Sequence, residues 1–193
     1  MPPEAPPPTK LDGPLPELVA RIAAPPEALA AIAGATRVPE AVDRLAAAGF
    51  LLEAAKLTAH ALPKREAVWW ACMCARHTAP ADAPAPLADL CAAAETWVRK
   101  QTDESRRAAF ALAQAQGLDT PEAWACVGAF WSGDSMAPPD VQKVPPAPHL
   151  AGTAVAGSIN LAAVRGDPLR RDARLRRFLD SAREIAAGGA GRL

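Results

Sequence analysis

The chain has 193 residues, half of them hydrophobic, with 21 basic and 21 acidic side chains. That length suits one domain with tails, and the cancelling charge excludes a global field that would steer the protein to nucleic acid or to a membrane surface. Tyrosine is absent and valine and isoleucine are sparse, which argues against a sheet.

Residues 1–15 read as a disordered or extended tail, because their Pro-Pro and Pro-Pro-Pro runs favour the polyproline conformation and bury little. The tail has no apolar run of the secretory-signal kind. The least polar long window, 150–164, holds Ser158, Asn160 and two glycines and is too short to span a bilayer. These points together predict a cytoplasmic protein whose four cysteines are reduced.

Helix signals then recur. Leu18, Val19 and Ile22 share a face in 16–24. Pro25-Pro26-Glu27 stops that helix and starts the next, which ends at Gly34. A third helix runs from Pro39 to Gly49, and a fourth over 50–62 turns Leu51, Leu52 and Ala55 inward. The stretch 62–76 is apolar on nearly every side through Val68, Trp69, Trp70, Cys72, Met73 and Cys74, so it is predicted to be buried and to act as the hub of the core. Adjacent positions on a helix point about 100° apart, so Trp69 and Trp70 must pack against different neighbours.

After a loop at 77–86, helices follow over 87–101, with Trp97 inward, and over 103–116, ended by Gly117. Thr120-Pro121-Glu122 is a hydroxyl cap, a first-turn proline and an acid. It opens a helix in which Trp124 and Trp131 stand seven apart on one face. Residues 133–149 hold five prolines. This long connection is expected to lie across the body, anchored by Met136, Val141, Val144 and Leu150. A helix of small residues over 150–165 and an amphipathic one over 169–187 complete the series, and 188–193 is expected to fray.

The fold class is therefore all-α: one domain over 16–187, a compact array of about ten short helices with a Pro-rich connection before the last two. Pro-Glu-Ala recurs at Pro26, Pro39 and Pro121, each time at a helix start, and hints at stacked hairpins of the solenoid kind. Trp69, Trp70, Trp97, Trp124 and Trp131 are read as the structural hub.

Chemistry is harder to find. Cys72 and Cys74 point about 200° apart on a helix, so they cannot hold one ion, and no second pair has metal-ligand spacing. Neither a metal nor a cofactor is expected. No Gly-x-Ser-x-Gly, phosphate loop or His-Glu-x-x-His occurs. A pocket joining two or more of His60, His77, His149 and Cys74 would favour an enzyme. From Arg165 onward the chain carries eight arginines against four acidic residues. Arg170, Arg174 and Arg177 form a stripe flanked by Arg171, and these four are the candidate partner-binding residues, set against the plainer reading of a solvated helix face.

Leu62-Pro63-Lys64-Arg65-Glu66-Ala67-Val68-Trp69-Trp70-Ala71-Cys72, with the later Ala129-Phe130-Trp131-Ser132-Gly133, resembles a family of uncharacterised bacterial proteins that carry a Trp-Trp-x-Cys helix and are met near type VI secretion genes. The resemblance covers about 38–187. It implies an accessory or adaptor role around a secretion machine and transfers no mechanism. The expected function is a non-catalytic interaction protein that binds another protein. The alternative is an enzyme in which histidines and thiols converge.

Overall fold

Prolines, glycines and threonine caps divide the chain, and the helices begin and end at them. The computed structural model describes residues 9–193. Its ten α-helices are α1 (Leu15–Arg21), α2 (Pro26–Ala31), α3 (Val38–Ala47), α4 (Leu51–Ala61), α5 (Lys64–Thr78), α6 (Ala85–Lys100), α7 (Asp103–Gln116), α8 (Pro121–Trp131), α9 (Leu150–Val164) and α10 (Arg171–Ala186), with a 3-10 turn at Pro168–Arg170 before the last. No strand occurs among the described residues, so the fold is all-α. Thr120 caps α8 by accepting from the Ala123 amide at 3.2 Å, and Thr102 caps α7 in the same way through Ser105.

The centre is α9. It packs against α4, α5, α8 and α10, and Ala151, Ala154, Val155, Ser158, Ile159, Ala162 and Ala163 are all buried. Partners that lie far apart in sequence are not the nearest-neighbour contacts of a solenoid. The recurrence of Pro-Glu-Ala thus marks helix starts and not a structural repeat. Backbones approach closely where α5, α8 and α9 meet. A Cβ at Gly128 would lie 3.2 Å from Val155 Cγ2 and 3.4 Å from Val68 Cγ2, tighter than ordinary van der Waals contact.

The tryptophan helix α5 sits beside α9 and also meets α6, α8 and α10. Trp70 is fully buried, and its indole N–H donates to the Phe178 carbonyl of α10 at 2.8 Å. Trp97 is buried as well. The expectation that all five tryptophans form a buried hub needs correction, because Trp69, Trp124 and Trp131 are only half-buried. An indole carries a donor that must be satisfied, and two of these three find backbone acceptors at the periphery. Trp69 donates to the Ala190 carbonyl at 2.8 Å and Trp124 to that of Leu118 at 2.9 Å.

Three terminal or connecting stretches differ from expectation. Residues 188–193 do not fray: besides the Trp69 contact, Ser181 Oγ donates to the Gly191 carbonyl at 2.6 Å, and Leu193 packs against the core. Of the proline-rich tail, residues 1–8 lie outside the described residues. Residues 9–14 lie on the body, with Leu11 buried and the Lys10 amide donating to the Ala186 carbonyl at 2.9 Å.

The connection between α8 and α9 follows a fixed path, but Val141 and Val144 do not anchor it, since both are exposed. Arg106 donates to the carbonyls of Phe130 (3.1 Å) and Ser135 (2.7 Å), and Arg107 to that of Ala137 (2.6 Å). Ser135 Oγ accepts from the amides of Ala137 and Val144. A proline-rich segment is short of N–H donors and rich in free carbonyls, so guanidinium groups, with five donors each, hold it where methyl groups do not.

Two outcomes follow from this packing. Trp70→Ala is expected to cost about 3–5 kcal/mol in chemical denaturation, the range for a buried large aromatic, whereas Trp69→Ala is expected to cost less, about 1–3 kcal/mol, because its ring is only partly buried against the core. Trypsin is expected to cut after the exposed Lys143, yet the two pieces should co-elute on native gel filtration. Each piece supplies helices to the other's core through α9, so separation of the pieces would contradict the central place of that helix.

Candidate functional site

The four candidate arginines sit where α9 hands over to α10, and helix ends explain much of their placement. The carboxyl ends of α5 and α9 carry unsatisfied carbonyls and partial negative charge. Arg165, last in the α9 register, donates to the Ala75 carbonyl of α5 at 3.3 Å and clasps the Glu122 carboxylate of α8 with both terminal nitrogens, one of them at 2.9 Å. Glu122 is 2% exposed. Burial of that carboxylate is tolerable only because a bidentate partner meets it.

Arg174 donates to the Ala163 carbonyl at 3.0 Å and also to that of Arg165, so it caps α9. Arg171 pairs with Asp172 at 2.9 Å, and Arg170 stands 3.6 Å from Asp167. Arg177, and beside it Arg176, has no acidic partner or hydrogen bond among the described residues. The stripe therefore divides into one structural cap, two locally paired cations and one uncommitted cation. Between them the 3-10 turn holds out Leu169, 93% exposed. Asp167 Oδ1 accepts from the Leu169 amide at 3.0 Å and Pro168 fixes the first φ, so the turn holds the Leu169 backbone in place.

His77 stands apart, whereas His60 and His149 are near enough for the charge of one to act on the other, with His60 lining a cavity. His77 meets Phe178 edge-on at 6.3 Å, and its imidazole is held below the ordinary value by burial and by Arg177 and Arg174. His60 of α4 lies against α9: a Cβ at Gly152 would come within 2.3 Å of His60 Nδ1, so only glycine admits the ring there. Burial, then Arg21, then His149 push the His60 pKa down to about 4. His149 is exposed, at the start of α9.

All four thiols are buried and free. Cys91 Sγ lies 3.8 Å from the Cys72 carbonyl, and Cys126 Sγ lies 3.2 Å from the Leu90 carbonyl. The neighbouring Cys91 thiol and burial raise the Cys72 pKa well above the usual range, burial does the same for Cys74, and burial pushes Cys126 up to about 12. Such thiols stay protonated near neutral pH and are poor nucleophiles. Cys74 is wholly buried, and among the described residues no three His, Cys, Asp or Glu side chains are grouped to hold a metal ion. Sequence reasoning passed over Asp167-Pro168-Leu169 because the candidate residues were sought among the charges. The signal was an apolar residue directly after an Asp-Pro turn.

The geometry defines an all-helical protein with a stiff, cationic, apolar-tipped corner and no helix among the described residues long and apolar enough to cross a membrane. Residues 41–186, more than half of the chain, match the model of a family of unknown function, DUF6931, and the protein belongs to that family. No curated protein and no solved structure matches the chain.

Stability should depend on His60. Unfolded, its imidazole takes a proton near 6.5; folded, it does so only near 4. Between these values the unfolded state holds the extra proton, so the contribution is fully present above pH 6.5 and is lost as the pH falls toward 4. Melting temperatures measured from pH 7 to 4 are expected to fall, and His60→Gln should flatten part of that fall.

Proposed function

We propose that this chain is a non-catalytic helical interaction protein that binds another protein at the corner formed by the 3-10 turn and the start of α10. The carrying observation is Leu169, 93% exposed yet held by the Asp167 cap and Pro168. A single exposed leucine is ordinary on a protein surface. Here the backbone is held by the cap and the proline, so little backbone entropy would be lost when a partner covers the side chain. Arg170 and Arg171 flank it with positive charge, and Arg177, two turns further along α10, adds a cation with no internal partner among the described residues. The partner that fits is an acidic protein segment with an apolar pocket for the leucine, steered by charge and held by the buried contact. Arg174 contributes through the α9 cap and only indirectly to the surface.

An accessory place beside a bacterial secretion machine is part of the proposal and rests on the likeness of the Trp69-Trp70 helix to proteins met near type VI secretion genes. The cytoplasmic location belongs to the same reading.

Pull-down with chemical crosslinking in the native cells separates the cases. Wild type should retain a protein that both Leu169→Glu and Arg177→Glu lose, while the two variants melt with the wild type. The same captured proteins in all three samples would overturn this site.

A further inference from the structure

Two cavities of similar size flank the helical body, and they differ in what their polar groups are already doing. The first, about 350 Å³, is lined by Lys10, Arg65, Glu66 and Trp69. Each is engaged: Lys10 with Glu66 at 2.7 Å, Arg65 with the Val98 carbonyl at 2.9 Å, Trp69 with the Ala190 carbonyl at 2.8 Å. That cavity is the seam where both ends of the chain are tied down. The second, about 310 Å³, opens between the end of α1, α4 and α9. Its polar lining is Arg21, Lys56, His60, Thr153 and Asn160, and no carboxylate lines it.

Arg21 reaches Glu17 only at 3.8 Å, and Lys56 reaches Glu53 at 4.0 Å and the Ile22 carbonyl at 3.4 Å. All three distances are at or beyond the limit of a sound hydrogen bond. The side chains of His60 and Asn160 make no hydrogen bond among the described residues, while Thr153 is satisfied by the His149 carbonyl at 3.1 Å. Apolar surface from Leu52, Ala156 and Gly157 completes the lining. A concave surface, an apolar wall and a few convergent, weakly engaged polar groups are the makings of a small-molecule site.

The geometry points to this cavity as a binding site for a small organic anion: a carboxylate between Arg21 and Lys56, a short apolar body against Leu52, Ala156 and Gly157, and a hydroxyl or amide at His60 and Asn160. Two cations without a carboxylate in the lining select the charge, since a desolvated anion is stabilised by paired, hydrogen-bonding cations. His60 stays neutral at pH 7 and so offers one donor and one acceptor to the polar group. The volume is at the small end of ligand cavities, roughly 300–1,000 Å³, which suits a small ligand. This inference does not depend on the Leu169 corner.

The probe is sodium 3-hydroxybutyrate, which carries all three features, with 3-hydroxybutyramide as its uncharged counterpart. Titrated into ¹⁵N-labelled full-length protein, the anion is expected to shift the amides of Ala156, Gly157 and Asn160 saturably and to raise the His60 pKa. Arg21→Gln and Lys56→Gln should each weaken binding about tenfold, the value of one charge-assisted contact. Arg99→Gln, in the other cavity, should leave it unchanged, and the spectrum itself reports whether each variant is folded. Equal binding of the amide, unchanged affinity in folded Arg21→Gln and Lys56→Gln, or no saturable shift up to about 20 mM would each overturn the assignment.

Discussion

Small side chains along most of α9 let four other helices approach one short segment, and that close packing governs the rest of the structure. The helix's composition of alanine, glycine, serine and a few β-branched residues lets α4, α5, α8 and α10 approach the same short segment. The cost is that small side chains bury little apolar area each. The large surfaces must come from the neighbours, and they do: Trp70, Phe178, Leu57 and Leu175 are fully buried around it. Specificity is then recovered with polar contacts at the edges of the core. Trp70 donates to the Phe178 carbonyl, Ser158 Oγ to the Pro121 carbonyl at 2.7 Å, and Arg165 to Glu122. Alanine surfaces alone would slide on one another, and directional bonds fix the register.

The arginines follow from the same architecture. Packing α5, α8 and α9 side by side leaves their ends near one another, and the carbonyls there need donors. Arg165 and Arg174 supply them from the chain segment that leaves α9. Arg106 and Arg107 do the same for the proline-rich connection, with Arg106 also lying over the Phe130 ring at 5.2 Å. The excess of positive charge late in the chain is thus partly a requirement of helix ends and irregular backbone, and only the remainder is free to address a partner.

What could be read from the sequence was local. Thr120-Pro121-Glu122 announced α8 because cap, proline and acid act within one turn, and the glycines and prolines delimited most helices for the same reason. Trp69 and Trp70 were legible as diverging, since that needs only the angular step of a helix. Which of them is buried was not legible, because it depends on α10 and on residues 188–193, more than a hundred positions away. The role of Arg174 was equally hidden: i, i+4, i+7 spacing describes a stripe but cannot say that one member turns back onto the Ala163 carbonyl. The candidate sites were hidden for related reasons. Leu169 lacked any periodic pattern, and the cavity beside His60 joins α1, α4 and α9, whose residues come together only through the packing of α9.

His60 and Gly152 illustrate how such a juxtaposition can be argued once it is known. A half-buried imidazole against a helix backbone is an unusual element at the edge of a core, since burial disfavours its charged form and its ring nitrogens make no hydrogen bond within the described residues. An alanine or leucine at position 60 would pack without those demands, and position 152 would then tolerate a side chain. The pair makes physical sense if the imidazole has work outside the core, and the unengaged Asn160 amide and the weakly held Arg21 and Lys56 lie on the same side of it. The indole of Trp69 is the contrasting case. It too has a polar atom at the edge of the core, but the Ala190 carbonyl satisfies it, and the outcome there is a closed seam. Edge polarity satisfied from within ties the fold together, whereas edge polarity left facing an open concavity is what a ligand can complete.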